Sequence, residues 1–314
     1  MSATTEPEAA APAPRPLLRA ARLAVPLLLL GLAWHWLLQH ADLGQLATQA
    51  ARLPAWAWLA AALALLAGHG LRALRVQREW LHVRHLGLAA CLRLVLLHNA
   101  AVILMPLRSG EAGYLWLVHR HWGVGWRAAG LSLLRWRLQD ATVLALLAVA
   151  LLLPFTPAAR LLLIVCLVTC VALLQRPVLA WLAQRKASLA PLDPQGPALG
   201  ARLANGWLAS GGNWTLKVLA LGGLLTALAG LSPADALRAA LGGELAGVQP
   251  LQGPAGLGTY EAGIWLASGA PAQAQATVVA AALAVHAFSL AVALGAAALA
   301  QWIPAPSSTF SSPR

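Results

Sequence analysis

Apolar runs long enough to cross a bilayer recur along this chain and constrain it more than any other feature. A spanning helix needs about 20 predominantly apolar residues for a hydrocarbon core of ~30 Å. The run from Leu17 to Leu38 meets that length, and the run from Ala141 to Leu153 contains no charge at all. With 60% hydrophobic and 10% charged residues, against roughly 25% charged in a soluble domain, no water-soluble core could absorb so much apolar surface. The expected fold class is an all-α polytopic membrane protein of the inner-membrane type.

Full spans are expected near 17–39, 54–71, 128–153, 158–176, 206–230 and 275–303. Two further apolar regions are interrupted, residues 88–119 by Pro106 and Gly110 and residues 234–272 by Pro250, Gly253, Pro254, Gly256 and Gly258. The pieces 110–119, 234–249 and 259–272 are too short to cross, so they are expected to form two re-entrant helical hairpins whose broken backbone is buried in protein or lines a wet cavity. Residues 1–14 (MSATTEPEAAAPAP) have a disordered-tail composition, and 304–314 form a second tail. The arginines Arg15, Arg19 and Arg22 before the first run would also suit a secretory signal. That run exceeds a usual signal core and is kept as an anchor.

The net charge of +12 is scattered between apolar runs rather than gathered in a stripe, which excludes a nucleic-acid groove. It reports topology instead. With a cytoplasmic N-terminus, fifteen basic residues fall inside and only Arg52, Arg160 and Arg238 outside, which places both termini in the cytoplasm. Arg108, Arg135, Arg137 and Lys217 are left at membrane depth. Cys91, Cys166 and Cys170 all lie in apolar stretches, against a disulfide framework. His82 with His85, and His119 with His121, have no completing ligand at suitable spacing, so neither a metal nor another cofactor is expected.

Residues 54–153 run span, broken hairpin, span, and residues 206–303 repeat that order. The odd span at 158–176 and a cytoplasmic loop at 177–205 separate them, so the second unit is expected upside down relative to the first. Inverted repeats with broken helices in corresponding places point to a transporter with a midplane site. Each hairpin tip carries a Glu just after its break, in PLRSGEAG (Pro106 to Gly113) and PAGLGTYEAG (Pro254 to Gly263). A half-helix starting at membrane depth exposes unpaired N–H groups and a positive dipole end. Such an end holds an anionic headgroup, or Glu111 and Glu261 simply cap it.

Arg137 and Asp140 lie three apart on one helix face, either as a structural ion pair or as part of a phosphate site that also uses Arg108 and Arg135. Lys217 and Asn213 share a face deep in the fifth span. His286 occupies the place in the last span that corresponds to the Arg135 to Arg137 stretch, as an interhelical hydrogen-bonding residue or a proton carrier. No P-loop or dinucleotide fingerprint is present, and no catalytic residue is assigned.

These strings in this order resemble the lysylphosphatidylglycerol synthase transmembrane family, a group of flippase-like membrane proteins. The resemblance rests on Asn99, Pro106, Arg108, Gly110 and Glu111, on the R-x-x-D of Arg137 and Asp140, and on the P-x-G-x-G-x-x-E of Pro254, Gly256, Gly258 and Glu261. It covers residues 15–303 and implies a single flippase-like domain in the bacterial inner membrane, without the soluble aminoacyl-transferase domain of larger members. The function expected is translocation of an anionic, aminoacylated or isoprenoid-linked lipid, with substrate-binding positions at Asn99, Arg108, Glu111, Arg135, Arg137, Asp140, Lys217, Glu261 and His286. Membrane lipids are the expected partners, with lipid-synthesis enzymes as candidates. The rival readings are a membrane enzyme using Glu111 or Asp140 as base, and an accessory subunit in lipid or envelope glycolipid synthesis.

Overall fold

The computed structural model describes His35 and residues 43–81, 86–105, 109–185, 197–249 and 254–304. The N-terminal tail, the first expected span apart from His35, and the residues Pro106, Arg108, Pro250 and Gly253 lie outside them. Among the described residues the chain is helical without strands. The helices are α1 (Leu43–Arg52), α2 (Ala55–Trp80), α3 (Leu88–Leu104), α4 (Glu111–Trp122), α5 (Trp126–Leu151), α6 (Pro157–Arg185), α7 (Pro197–Ala229), α8 (Pro233–Gly247), α9 (Thr259–Ser268) and α10 (Gln275–Ala300).

Local chemistry sets the breaks. Met105 takes extended backbone angles (φ −91°, ψ 133°) because the following Pro106 disfavours the helical region for its predecessor, and α3 stops there. Gly123 (φ 68°) ends α4, its N–H donating to the His119 carbonyl at 3.0 Å, a left-handed terminus that glycine adopts without cost. Ser232 caps α8 by accepting from the Asp235 N–H at 3.2 Å, with Pro233 at the first helical position. That cap turns the chain sharply, and α7 and α8 meet at 119°.

Three helices among the described residues, Ala55–Trp80, Pro157–Leu174 and Ala272–Ala300, are long and apolar enough to cross a membrane, and the bent pair α7 and α8 passes the same test jointly. The 26 residues of α5 reach about 39 Å, but Arg135, Arg137 and Asp140 interrupt its apolar character. The expected span at 54–71 is only the first part of α2, which continues to Trp80. Arg72, Arg75 and Arg78 therefore sit on a packed helix and not in a loop. Likewise α6 runs past residue 176 to Arg185, through Pro177. Half-length helices occupy the two interrupted regions. The 15 residues of α8 span about 22 Å and the 10 of α9 about 15 Å, both short of a ~30 Å core.

Helices α2 and α7 form the central crossing. Arg75 bonds Ser210, Leu71 meets Gly212 and Gly68 meets Asn213, so rising numbers on one helix match falling numbers on the other. Helix α3 packs on α2 and α10, while α8 packs on α7 and α5; α4 lies on α5, as α9 lies on α10. These contacts map onto one another when α2 to α5 are exchanged for α7 to α10. One buried cluster, around Val76, Cys91, Val118 and Trp136, holds the first group together. Another, around Leu221, Leu225, Leu241 and Ile264, holds the second. The second hairpin closes by backbone approach: a Cβ on Gly242 would stand 2.4 Å from the Gly263 carbonyl oxygen, the small-residue packing that brings helices together within lipid. Helix α6 packs on α5 and leaves Leu161, Leu162 and Leu173 exposed, together with Cys166 and Cys170.

Candidate functional site between the two hairpin tips

A cavity of about 170 Å³ lies between the breaks of the two hairpins. Asn99, Val102 and Ile103 from the end of α3 form one wall, and Gly247, Val248, Ala255 and Gly256 from the second tip form the other. The second tip is wound by left-handed backbone at Ala255 (φ 54°), Gly256 (φ 81°) and Gly258 (φ 84°). Alanine in that region costs about 1–2 kcal/mol. At the first tip Gly110 presses on α3, where any Cβ would fall 2.1 Å from the Ala101 carbonyl oxygen.

The long helices bring charge to this space. Arg72 of α2, Arg137 of α5 and Lys217 of α7 line it, with His69, His98, Asn213, Trp214, Glu244 and His286. Arg137 is held by Glu111, its Nη2 at 2.6 Å from Oε1 and 2.7 Å from Oε2, and stands 3.5 Å from Asp140. His98 approaches Glu111 at 3.6 Å. Asp140 has a second cation, since Arg75 Nη1 lies 3.3 Å away and the same guanidinium bonds Ser210 and Gln139. Buried charges persist only when paired in this way.

In the second unit Lys217 Nζ donates to Glu244 Oε2 at 2.6 Å, and the Tyr260 hydroxyl donates to Glu244 Oε1 at 2.8 Å. Glu261 is fully buried. Its Oε2 accepts the Gly258 N–H at 2.6 Å, and its Oε1 lies 2.7 Å from His286 Nδ1. The capping role weighed for both Glu residues is thus realised at Glu261. Glu111, the first residue of α4, gives its carboxylate to Arg137.

Arg72 makes no ion pair among the described residues, and its guanidinium stands over the Trp214 ring, 5.8 Å from the centroid. The buried Asn213 Nδ2, Trp214 Nε1 and His69 Nδ1 also lack hydrogen-bond partners there. Buried polar atoms are rarely left so unless water or a ligand meets them. Beside the cavity runs a groove of about 560 Å³ between α4 and α5, lined by apolar Leu115, Leu133 and Leu134 and ending at Glu111, Arg137 and Asp140. Arg137, Trp214 and Val248 are common to both spaces, so the charged chamber and the more apolar groove adjoin along these three side chains.

Of the residues expected at the site, Asn99, Arg137, Lys217 and His286 line the cavity, and Glu111 and Asp140 stand behind Arg137 at the groove. Glu261 is enclosed behind His286. Arg135 is elsewhere, paired with buried Glu79 of α2. The guanidinium at the cavity without an ion pair among the described residues is that of Arg72. Sequence reasoning passed over Arg72 and Arg75, assigned to a loop, and Glu244. The last carried a usable signal, a lone carboxylate in the apolar string AALGGELAG, which marks an intramembrane functional position by default.

Long apolar helices, half-length hairpin helices and a charged chamber between their tips define a polytopic helical membrane protein. Residues 20–297 match the family described as Lysylphosphatidylglycerol synthase TM region, and the chain belongs to that family, a membrane protein connected with lipid handling. No curated protein and no solved structure matches it.

Proposed function

We propose that this chain is a lipid translocase that carries an anionic, aminoacylated or isoprenoid-linked lipid between leaflets of the bacterial inner membrane. The observation that carries the reading is the cavity between the two tips, where, among the described residues, the Arg72 guanidinium makes no ion pair and the Asn213 Nδ2 and Trp214 Nε1 donors make no hydrogen bond. A phosphate-bearing headgroup supplies what they lack, since guanidinium and N–H donors match phosphate oxygens. The groove that meets the cavity at Arg137 suits an acyl or prenyl chain, whose transfer from lipid to an apolar wall costs little.

In this reading the units α2 to α5 and α7 to α10 form an inverted repeat, as the antiparallel run of α2 against α7 supports. Hairpin one then opens to the cytoplasm and hairpin two to the outside. Rocking one unit against the other exposes the chamber to each side in turn. Glu111, Asp140 and Glu244 balance the cations when no headgroup is bound.

The test is transbilayer exchange in liposomes containing the purified chain, read with fluorescent phosphatidylglycerol and a membrane-impermeant quencher. Exchange should accelerate over protein-free vesicles and slow at least tenfold in Arg72→Gln. No acceleration with phosphatidylglycerol or with a polyprenyl phosphate refutes the proposal.

A further inference from the structure

We infer that the pair of Glu261 and His286 is a proton-binding site coupled to the cavity, so that a proton is taken up together with an anionic headgroup. The inference rests on the translocase reading and adds to it a co-substrate of a different chemical class.

The two units differ at one corresponding place. Each tip glutamate meets a basic side chain on the following long helix, Glu111 with Arg137, 26 positions on, and Glu261 with His286, 25 positions on. A guanidinium stays charged at every physiological pH. An imidazole changes its charge in that range. The guanidinium of pair one therefore keeps its charge, with His98 a further neighbour of Glu111 at 3.6 Å, and pair two gains a unit charge whenever its imidazole is protonated.

The geometry lets that happen without breaking the fold. His286 Nδ1 is engaged by Glu261 Oε1 at 2.7 Å, and the other carboxylate oxygen holds the Gly258 N–H. The pair remains bonded whether the ring is neutral or cationic. Nε2 is then the nitrogen that exchanges, and His286 lines the cavity, so the proton arrives from the same chamber as the headgroup. With neutral His286 the pair carries one negative charge, and with the imidazolium it carries none.

The surroundings tie proton to anion. His286 faces Glu261 and Tyr260 from α9, the latter stacked with ring centroids 4.2 Å apart. Across the cavity it faces Lys217 and Glu244 from α7 and α8, His69 and Arg72 from α2, His98 from α3 and Arg137 from α5. Helix α1 brings no described titratable side chain to it. An anionic headgroup brings negative charge beside the imidazole and so favours its protonated form. By linkage, protonation must then raise affinity for the anion in equal measure. Tyr260 extends the coupling, because its hydroxyl holds Glu244, which holds Lys217.

The test measures binding of dioctanoyl phosphatidylglycerol to the solubilised full chain from about pH 5.5 to 8.5, the range in which an imidazole titrates. Affinity should fall with rising pH by at most about tenfold per unit. That slope is reached only where the imidazole is neutral in the empty chamber and protonated in the occupied one, and there close to one proton is taken up per lipid. His286→Gln should flatten the profile, while His69→Gln and His98→Gln keep its slope. His286→Arg, which copies the arginine opposite Glu111, should also be flat and serves if the Gln variant fails to fold. A flat wild-type profile overturns the inference, and so does a slope that survives in His286→Gln or His286→Arg. Accelerated exchange in liposomes with a flat binding profile refutes the proton site alone. Absence of both binding and exchange refutes the translocase reading and this inference with it.

Discussion

Glu244→Gln separates charge from shape at the cavity. The carboxylate takes Lys217 Nζ at 2.6 Å and the Tyr260 hydroxyl at 2.8 Å, and glutamine fits the same volume while keeping one acceptor. What disappears is the countercharge. The direct attraction at 2.6 Å is about 6 kcal/mol at an effective dielectric near 20. The lysine side chain is 30% exposed and its ammonium is partly solvated by the chamber. The net loss of stability is therefore smaller, about 1–3 kcal/mol. A headgroup phosphate must compete with Glu244 for that ammonium in the wild type. Removing the competitor should return about 1–2 kcal/mol to anion binding, a gain of roughly 5- to 30-fold in affinity. The assay pairs thermal unfolding of the purified variant with binding of short-chain phosphatidylglycerol, using phosphatidylcholine as the neutral control. Lower stability with tighter anion binding is expected. Lower stability with unchanged or weaker anion binding would mean that Lys217 serves only the scaffold.

Exchanging the charges in Arg137→Asp with Asp140→Arg should prevent folding, because the new arginine would stand where Asp140 meets Arg75 at 3.3 Å and the new aspartate would face Glu111; recovery of monodisperse, active protein would reduce Asp140 to a local partner of Arg137. Gly242→Ala should destabilise by at least about 2 kcal/mol, since its Cβ would lie 2.4 Å from the Gly263 carbonyl oxygen; an unaltered unfolding temperature would contradict the close packing of α8 on α9. In a background with Cys91, Cys166 and Cys170 changed to Ala, Thr259→Cys should react with an impermeant thiol reagent from outside intact cells and Ser109→Cys only in inside-out vesicles. Labelling of both from one face would refute the inverted arrangement.

Much of the architecture is local in origin and was legible before any coordinates. Pro106 dictates the end of α3 through the conformation of Met105, and Gly256 and Gly258 supply the left-handed turns before α9. The pairing of Arg137 with Asp140 follows from helical periodicity, being three residues apart. Helix ends were harder to place, because α2 carries Arg72, Arg75 and Arg78 beyond its apolar stretch and hydropathy sees a charged loop where packing makes a buried helix.

Residue by residue, then, the chain itself determined that lipid is the solvent, that the backbone satisfies its hydrogen bonds as helices, and that two of the helix pairs are broken with a carboxylate beyond the break. These are properties of side-chain transfer energies and of backbone angles within a few residues. Only the tertiary structure decided which charge meets which. Arg75 finds Asp140 65 positions away and Ser210 135 positions away, while Arg135 is spent on Glu79 and Arg72 is left at the cavity. Ion pairing falls off over a few ångströms in distance and a fraction of a helical turn in orientation. The register of α2 against α5 and α7 therefore assigns the partners, and that register is set by how Gly68, Gly206 and Gly212 let the helices approach.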